Sequence, residues 1–187
     1  DCLLSRGLGD VYKRQAGNGS VIAARLAAEE MGNKVLGKPV EVVAADHQNK
    51  PDVAANLARE WFDQGKVDMI TDFPTASTAL AVMEIAKQKN RVTMPSAGLS
   101  TAILGEKCSP LNAQWTTNTY ALAAGTARAL VQEGKKTWYF ITADYTFGHS
   151  LEKDATEVIK ENGGTVVGVS RHPFPGNDFS SFLLKAQ

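Results

Sequence analysis

The chain alternates between short continuous apolar runs and stretches in which apolar residues recur every three or four positions. Runs that begin near positions 40, 67, 92, 137 and 165 have the length of buried strands, and the stretches between them have the period of amphipathic helices. Strands that alternate with helices at such intervals are typical of α/β folds with a parallel sheet. The pattern therefore predicts a succession of βα units from Gly17 onward.

Local signals set the limits of several predicted elements. Pro51 stands where a first helical turn tolerates proline, so a helix is predicted to begin there. The interval between the strands at 92 and 137 is longer than the others. It holds a small-residue loop over 95–110, a brief strand or crossing segment at 114–116 and a helix over 120–131. A passage from one lobe to another would produce such an interval.

The segment 137–149 carries the most informative pattern. Trp138 to Ile141 is an aromatic and β-branched run that predicts a buried strand. The polar and aromatic turn 142–148 follows it and opens a helix. Ligands of open parallel sheets bind beyond the carboxyl ends of the strands. Two aromatic rings and a helix N-terminus at such a place predict a site for a small polar molecule.

Two further strand ends carry hydroxyl groups and small residues. The loop 72–78 places Thr75 and Ser77 at a predicted helix start, where free backbone N–H groups bind carboxylate or phosphate readily. The alternative is an N-cap, worth about 1 kcal/mol to the helix. In the loop 95–101, Gly98 lets backbone approach a ligand and Ser100 supplies a hydroxyl. The alternative there is a plain flexible loop.

Composition excludes several classes of protein. In 187 residues, 20 basic and 20 acidic side chains cancel, so nothing favours nucleic acid or an anionic membrane as a partner. No apolar run approaches the roughly 20 residues that span a bilayer. Cys2 and Cys108 are too few for a disulfide scaffold, and they leave the redox compartment undecided.

No enzyme signature stands out. Gly17-Asn-Gly19 is followed by Ile22 where the dinucleotide fingerprint has glycine or alanine, and no phosphate-binding loop or zinc motif is present. Asp46 and His47 follow a predicted strand, but a catalytic pair also needs a nucleophile in the right geometry. We therefore interpret Asp46 as a turn cap and His47 as exposed. His149 and His172 are likewise interpreted as surface residues.

The two ends of the sequence differ from the rest. Residues 1–15 show no clean helical or strand period, no initiating Met and no signal-peptide pattern, so we interpret them as a foreign or artefactual leader. A last helix is predicted from about Asp178, with no stop signal before Gln187. We interpret the chain as a fragment.

Three segments together resemble a known family. They are GKPVEVVAADHQNKPD at 37–52, AREWF at 58–62 and TADYTFGH at 142–149. In this order they resemble the substrate-binding proteins of ABC importers, and among these the leucine/isoleucine/valine-binding family with the type I periplasmic fold. The resemblance covers about residues 16–187.

The resemblance implies an α/β protein of two Rossmann-like lobes with parallel sheets, the second lobe being incomplete here. The implied organisation is a leader over 1–15, an N-terminal lobe without its first strand over 16–112, a crossing at 113–120 and a partial C-terminal lobe over 121–187. Because half of the contacts and the closing motion would be missing, we expect this chain alone to bind ligand more weakly than the native protein.

The resemblance also implies which residues bind the ligand. The family holds a ligand α-carboxylate and α-ammonium with the loops after the second and third strands of the first lobe, and covers the ligand with an aromatic ring of the second lobe. The matching positions of this chain are Thr75, Ser77, Gly98 and Ser100, the last where the family often has threonine. Phe147 stands where several members have tyrosine, and Tyr145 is the nearby alternative.

The implied role is the capture of an amino acid or a related small amide or carboxylate between two lobes, for delivery to an ABC permease. We expect no catalysis, cofactor, metal, nucleic acid or membrane insertion. The expected location is the periplasm, or a lipid-anchored extracellular position, with the signal peptide outside this sequence. Two alternatives stay open: a ligand-sensing regulatory domain of the same fold and, more remotely, a doubly wound enzyme using Asp46 or His47.

Overall fold

The computed structural model describes residues 2–6, 11–174, 176 and 178–187, with side chains from Gly19 onward. The chain forms two compact units. The first comprises Asp1–Gly98 and Ile103–Thr116, and the second comprises Leu99–Ala102 and Thr117–Gln187. The larger part of the second unit begins at Thr117, and the smaller part is the short segment Leu99–Ala102.

The first unit alternates strands and helices as the sequence predicts. Its elements are β1 (Cys2–Arg6), α1 (Val11–Glu30), β2 (Lys34–Val35), β3 (Lys38–Pro39), β4 (Val42–Asp46), α2 (Pro51–Asp63), β5 (Met69–Thr71), α3 (Ala76–Gln88) and β6 (Val92–Met94). A short 3-10 helix follows at Thr101–Ile103. β2 and β3 form a small antiparallel ladder.

Four strands of this unit make a parallel sheet in the order β4-β1-β5-β6. Counted along the chain, this is the order 2-1-3-4 of doubly wound folds. In that order the connections leave β1 and β5 in opposite directions, and the crevice between the two strands is the place where such sheets bind ligands. The fold thus marks the carboxyl ends of β1 and β5 before any side chain is considered.

The strand at Cys2–Arg6 corrects one prediction. The sequence predicted no strand before Gly17, whereas β1 lies in the middle of the sheet and pairs with β4 and β5. Strands of parallel sheets are commonly covered on both faces, so such a strand needs no alternating pattern of polar and apolar residues. Five residues are also too few to show a period.

α2 and α3 cover this sheet and form the core. Pro51 occupies the first turn of α2, as predicted, and Ala54, Ala58 and Phe62 recur every four residues on its buried face. These side chains belong to one cluster with Ile70 and further residues of β5, α3 and the 3-10 helix. Burial of such a face stabilises a helix more than the propensity of its residues does.

The second unit has its own small core. It contains α4 (Thr119–Gln132), β7 (Thr137–Ala143), α5 (Thr146–Glu161), β8 (Thr165–His172) and α6 (Ser180–Ala186). Asn118 caps α4, because its side chain accepts a hydrogen bond from the backbone N–H of Ala121 at 2.9 Å. β7 and β8 pair in parallel.

The strand predicted at 138–141 is present within β7, but the prediction that it is buried is wrong. Val131, Val158 and Ile159 are buried beneath β7, but all four residues of Trp138–Ile141 are only half-buried. The described part of the unit has a two-stranded sheet in contact with helices α5 and α6, and the aromatic run keeps partial contact with solvent.

Candidate functional site

The polar loops of the first unit lie at the carboxyl ends of β5 and β6. Residues 72–75 join β5 to α3, and residues 95–98 follow β6. Because β5 and β6 are parallel neighbours, with Thr71 opposite Met94, both loops leave the same edge of the sheet. The loop after β5 stands at the crevice that the strand order marks.

Thr75 occupies the N-cap position of α3 without acting as a side-chain cap. Its hydroxyl instead lies 2.9 Å from the hydroxyl of Thr78, which also bonds the Thr75 carbonyl at 2.9 Å. Ser77 bonds the Thr75 hydroxyl at 3.4 Å. The predicted side-chain cap is therefore wrong, and the first backbone N–H groups of α3 have no acceptor within the helix.

Gly98 is explained by packing within its own unit. A Cβ atom built on it would lie 3.1 Å from the Cβ of Ala79 and 3.3 Å from the Cα of Ala76. The glycine therefore lets the loop after β6 pack directly on the first turn of α3. This close approach brings the backbone of the 95–98 loop beside the Thr75–Ser77 segment.

Ser100 lies in the second unit and is fully buried. Its hydroxyl lies 2.6 Å from that of Ser150 and accepts a hydrogen bond from the N–H of Ala102 at 3.2 Å. The neighbouring Thr101 donates to Asp154, a buried carboxylate of α5, at 3.1 Å. In the described structure the Ser100 hydroxyl is thus engaged inside the protein.

Tyr145 and Phe147 stand at the start of α5. Their ring centroids are 5.9 Å apart, and the Tyr145 ring stacks on Phe174 at 4.3 Å. Burial raises the pKa of Tyr145 above its ordinary value, so its hydroxyl stays protonated at neutral pH and can donate a hydrogen bond. Both rings border a cavity of about 260 Å³. Its other lining residues include Phe140, Thr142, Leu151, Glu152 and His172.

Gly148 allows α5 to start where it does. A Cβ at this position would overlap the carbonyl oxygen of Ala143, the last residue of β7. Only glycine therefore lets the first turn of α5 pass so close to the strand end. The Phe-Gly pair that contributes to the family resemblance has a local structural reason here.

Asp72 is a feature that sequence reasoning named only as the start of a loop. It follows β5 directly, its side chain is buried, and its backbone adopts a left-handed φ of 61°. Ser96 donates a hydrogen bond to Oδ1 at 2.7 Å. Burial raises the pKa of Asp72 above its ordinary value, while the hydrogen bond from Ser96 and a weaker polar interaction with Ser20, which makes no hydrogen bond of full geometry to the carboxyl group, oppose that shift. An acidic residue directly after a buried strand was the signal that could have found it.

The histidines divide between core and surface. Asp46 accepts a hydrogen bond from Gln48 N–H at 2.7 Å, which confirms it as a turn cap. His47 was predicted to be exposed, and this is wrong: it is fully buried, with Nδ1 accepting from Asn49 N–H at 3.0 Å. The turn closes over the ring. His149 is exposed and pairs with Asp144 at 2.7 Å.

A larger cavity lies away from these loops. It measures about 740 Å³ and is lined by the end of α1, by the β2–β3 ladder and by the beginnings of β4 and β5. Those are the amino ends of the strands, whereas ligands of parallel sheets bind at the carboxyl ends. We therefore assign the candidate site to the polar loops.

Metal clusters and membrane-spanning helices are both absent from the described residues. Across residues 19–174 and the described part of 176–187, no cluster of three or more His, Cys, Asp or Glu side chains is arranged to hold a metal ion. Within the described helices, none is both long and apolar enough to cross a bilayer.

Comparison with known proteins identifies the family. A family model described as periplasmic binding protein matches residues 10–187. The chain belongs to the periplasmic binding protein family. This confirms the resemblance predicted from the sequence, and the parallel sheets agree with the type I fold of the family. A search among curated proteins returned no match.

Solved structures of periplasmic binding proteins match almost the whole chain. A periplasmic binding protein from Burkholderia mallei is 43% identical with a TM-score of 0.96, over 100% of this chain and 50% of that one. A branched-chain amino acid ABC transporter ligand-binding protein from Burkholderia xenovorans is 36% identical with a TM-score of 0.81, over 99% and 50%. A solute-binding protein of an ABC transporter from Rhodopseudomonas palustris, solved with 3,4-dihydroxybenzoic acid, is 27% identical with a TM-score of 0.83, over 98% and 50%. The chain thus spans about half the length of these relatives.

Proposed function

We propose that the full-length protein carrying this chain is an extracytoplasmic solute-binding protein that captures a small carboxylate for an ABC importer. The observation that carries the proposal is the N-terminus of α3 at the carboxyl end of β5, with the 95–98 loop packed on its first turn. Free N–H groups and the helix dipole favour an anion at such a place. Ser77, which is half-buried, adds a hydroxyl to this anion site.

The second unit supplies a different kind of surface. Tyr145 and Phe147 border a cavity that also has Phe140 and Leu151 in its lining. Aromatic and aliphatic walls with a few polar groups suit the apolar body of a ligand and leave orientation to the polar groups. We infer that the loops of the first unit bind a carboxylate and, as a separate property of the second unit, that the Tyr145–Phe147 segment offers a surface suited to an apolar group.

The names of two relatives narrow the range of candidate ligands. One is a branched-chain amino acid transporter component, and the other was solved with 3,4-dihydroxybenzoic acid. Amino acids and benzoic acids share a carboxylate attached to an apolar body. The proposed ligand class is therefore a small organic acid of this kind, delivered to an ABC permease as partner.

A ligand screen tests the proposal. The full-length protein is screened by thermal shift with leucine, isoleucine, valine, benzoate, 4-hydroxybenzoate and 3,4-dihydroxybenzoate, and positive compounds are titrated by calorimetry. A ligand at about 100 times its Kd adds about 2.7 kcal/mol to the free energy of unfolding, so a clear rise in Tm is expected.

A variant locates the binding. Ser77→Ala should raise the Kd of the positive compound about threefold to tenfold, since one net hydrogen bond is worth about 0.5–1.5 kcal/mol. The control is Ser180→Ala, an exposed serine at the start of α6, which should leave the Kd unchanged. A protein that binds none of the six compounds, or a Kd that Ser77→Ala does not move, contradicts the proposal.

A further inference from the structure

Asp72 is a buried acid with one oxygen engaged and one left over. Only 3% of the residue is exposed. Oδ1 accepts the hydrogen bond from Ser96 at 2.7 Å, whereas the buried Oδ2 has no hydrogen-bond partner among the residues that the structure describes. A buried polar atom without a partner costs free energy, and more so when it belongs to a group that can be charged. A ligand atom that donates a hydrogen bond to Oδ2 would offset this cost.

The place of Asp72 in the fold says what that function is. It directly follows β5, which is paired with β1 on one side and β6 on the other. The order β4-β1-β5-β6 puts the change of winding direction between β1 and β5, and ligands of such sheets bind outside the carboxyl ends of the strands at that point. Asp72 is the first residue beyond β5 at this crevice.

The backbone at Asp72 adds an independent observation. Its φ of 61° lies in the left-handed region, which costs an L-residue free energy, although aspartate and asparagine tolerate it better than most. Its N–H still bonds the Met94 carbonyl, at 3.3 Å, so the turn is tied to the neighbouring strand. Strained residues of this kind cluster at ligand sites, where the surrounding structure holds them in place.

We propose that Asp72 is a specificity-determining residue, whose Oδ2 accepts a hydrogen bond from a donor group of the bound ligand. The inference rests on the proposed function and adds to it that the ligand carries a hydrogen-bond donor besides its carboxylate. The donor is an ammonium group in an amino acid or a hydroxyl group in a hydroxylated aromatic acid. Ser96 holds the carboxyl group in position through Oδ1.

Matched pairs of ligands test this role. Full-length protein is titrated by calorimetry with 4-hydroxybenzoate and benzoate, and with leucine and 4-methylpentanoate, which lacks only the ammonium group. In the pair that the protein binds, the member with the donor should bind about tenfold more tightly or better, since hydrogen bonds to charged groups are the stronger ones. The pair that shows the effect identifies the donor as hydroxyl or ammonium.

Variants assign the effect to Asp72. Asp72→Asn keeps the size of the side chain and its tolerance of a left-handed φ, but it replaces one of the two accepting oxygens by an NH₂ group. The ligand with the donor group should then lose its advantage in affinity, while the Kd of the ligand without the donor group should change little. Asp72→Gly suits the same backbone and should give the same result, which guards against a folding defect of either variant. Glu41→Gln, an exposed carboxylate just before β4, is the control and should keep the advantage.

The outcomes separate this inference from the proposed function. If the protein binds a pair but Asp72→Asn and Asp72→Gly keep the donor advantage, or lower both affinities equally as a loop-positioning role would, the inference is wrong and the proposed function stands. A wild-type protein that binds a pair without preference also overturns the inference alone. Failure to bind any of the six screened compounds, or an analogue of one of them that lacks the donor group, overturns the proposed function, and the inference falls with it.

Discussion

At the scale of the residue, Asp72 combines two features that each cost folding free energy. Its backbone is left-handed and its carboxyl group is buried. Among the residues that the structure describes, Ser96 satisfies one of the two carboxyl oxygens and none bonds the other. Natural sequences break local rules of this kind mainly where a site needs them. Thr75 and Ser77 lie in the same loop, at the first N–H groups of α3, which have no acceptor within the helix.

The burial of Asp72 predicts a pH dependence of stability. Because burial raises its folded-state pKa above the ordinary value of 3.8, the folded state holds the proton more tightly than the unfolded state does. Its contribution to stability is complete below pH 3.8 and is lost as the pH rises through the raised pKa. Asp72→Asn, which cannot ionise, should therefore gain free energy of unfolding relative to wild type as the pH rises from about 4 to about 7.

Urea denaturation at several pH values, followed by tryptophan fluorescence, to which Trp61 in α2 contributes, measures this difference. Glu41→Gln is again the control, since an exposed carboxylate should give a nearly constant difference from wild type. A difference between Asp72→Asn and wild type that stays flat, or that falls with rising pH, would show that the carboxyl group is not destabilised by burial.

At the scale of the element, the sequence predicted what local periods and turn residues determine. Pro51 and the four-residue spacing of Ala54, Ala58 and Phe62 gave α2 its start and its buried face. What the sequence could not predict depends on tertiary neighbours. β1 is defined by its two partner strands, and His47 is buried because the turn after β4 closes over it.

The candidate site divides in the same way. The loops after β5, β6 and β7 were predicted, because strand ends and hydroxyl or aromatic residues are visible in the sequence. The hydrogen-bond partners of Thr75 and Ser100 were not, since Thr78 and Ser150 become neighbours only in the fold. The left-handed backbone of Asp72 likewise follows from how the chain turns between β5 and α3, which no period reports.

A pair of glycines in the second unit tests how α5 is seated. Gly148→Ala places a Cβ against the carbonyl oxygen of Ala143, so we expect it to lower the free energy of unfolding by about 1–3 kcal/mol. Gly125, in the middle of α4, has no heavy atom within 4 Å of the position that a Cβ would take, and Gly125→Ala should raise stability by about 0.5–1 kcal/mol. Urea denaturation of both variants measures these changes in the free energy of unfolding. If Gly148→Ala leaves the free energy of unfolding unchanged, α5 can shift away from the strand end at little cost.

At the scale of the whole molecule, the two units are unequally built. In the described residues, the first unit has a four-stranded parallel sheet and a core of twelve buried side chains, whereas the second has a two-stranded sheet and a cluster of four. Val167 and Val169 of β8 are exposed by 62% and 41%. A sheet of two strands is marginal without further cover. The two units should therefore differ in local stability.

Hydrogen exchange measures that difference directly. Amides that open with the core of a stable unit exchange slowly, and those in weakly covered strands exchange faster. In this 187-residue chain, we expect the amides of β5 and β6 to exchange at least about tenfold more slowly than those of β8, which corresponds to about 1.4 kcal/mol of opening free energy. Exposed amides of α6 provide the fast reference. Equal protection of β5 and β8 would contradict the expectation, because it would mean that the two-stranded sheet is held as firmly as the four-stranded sheet of the first unit.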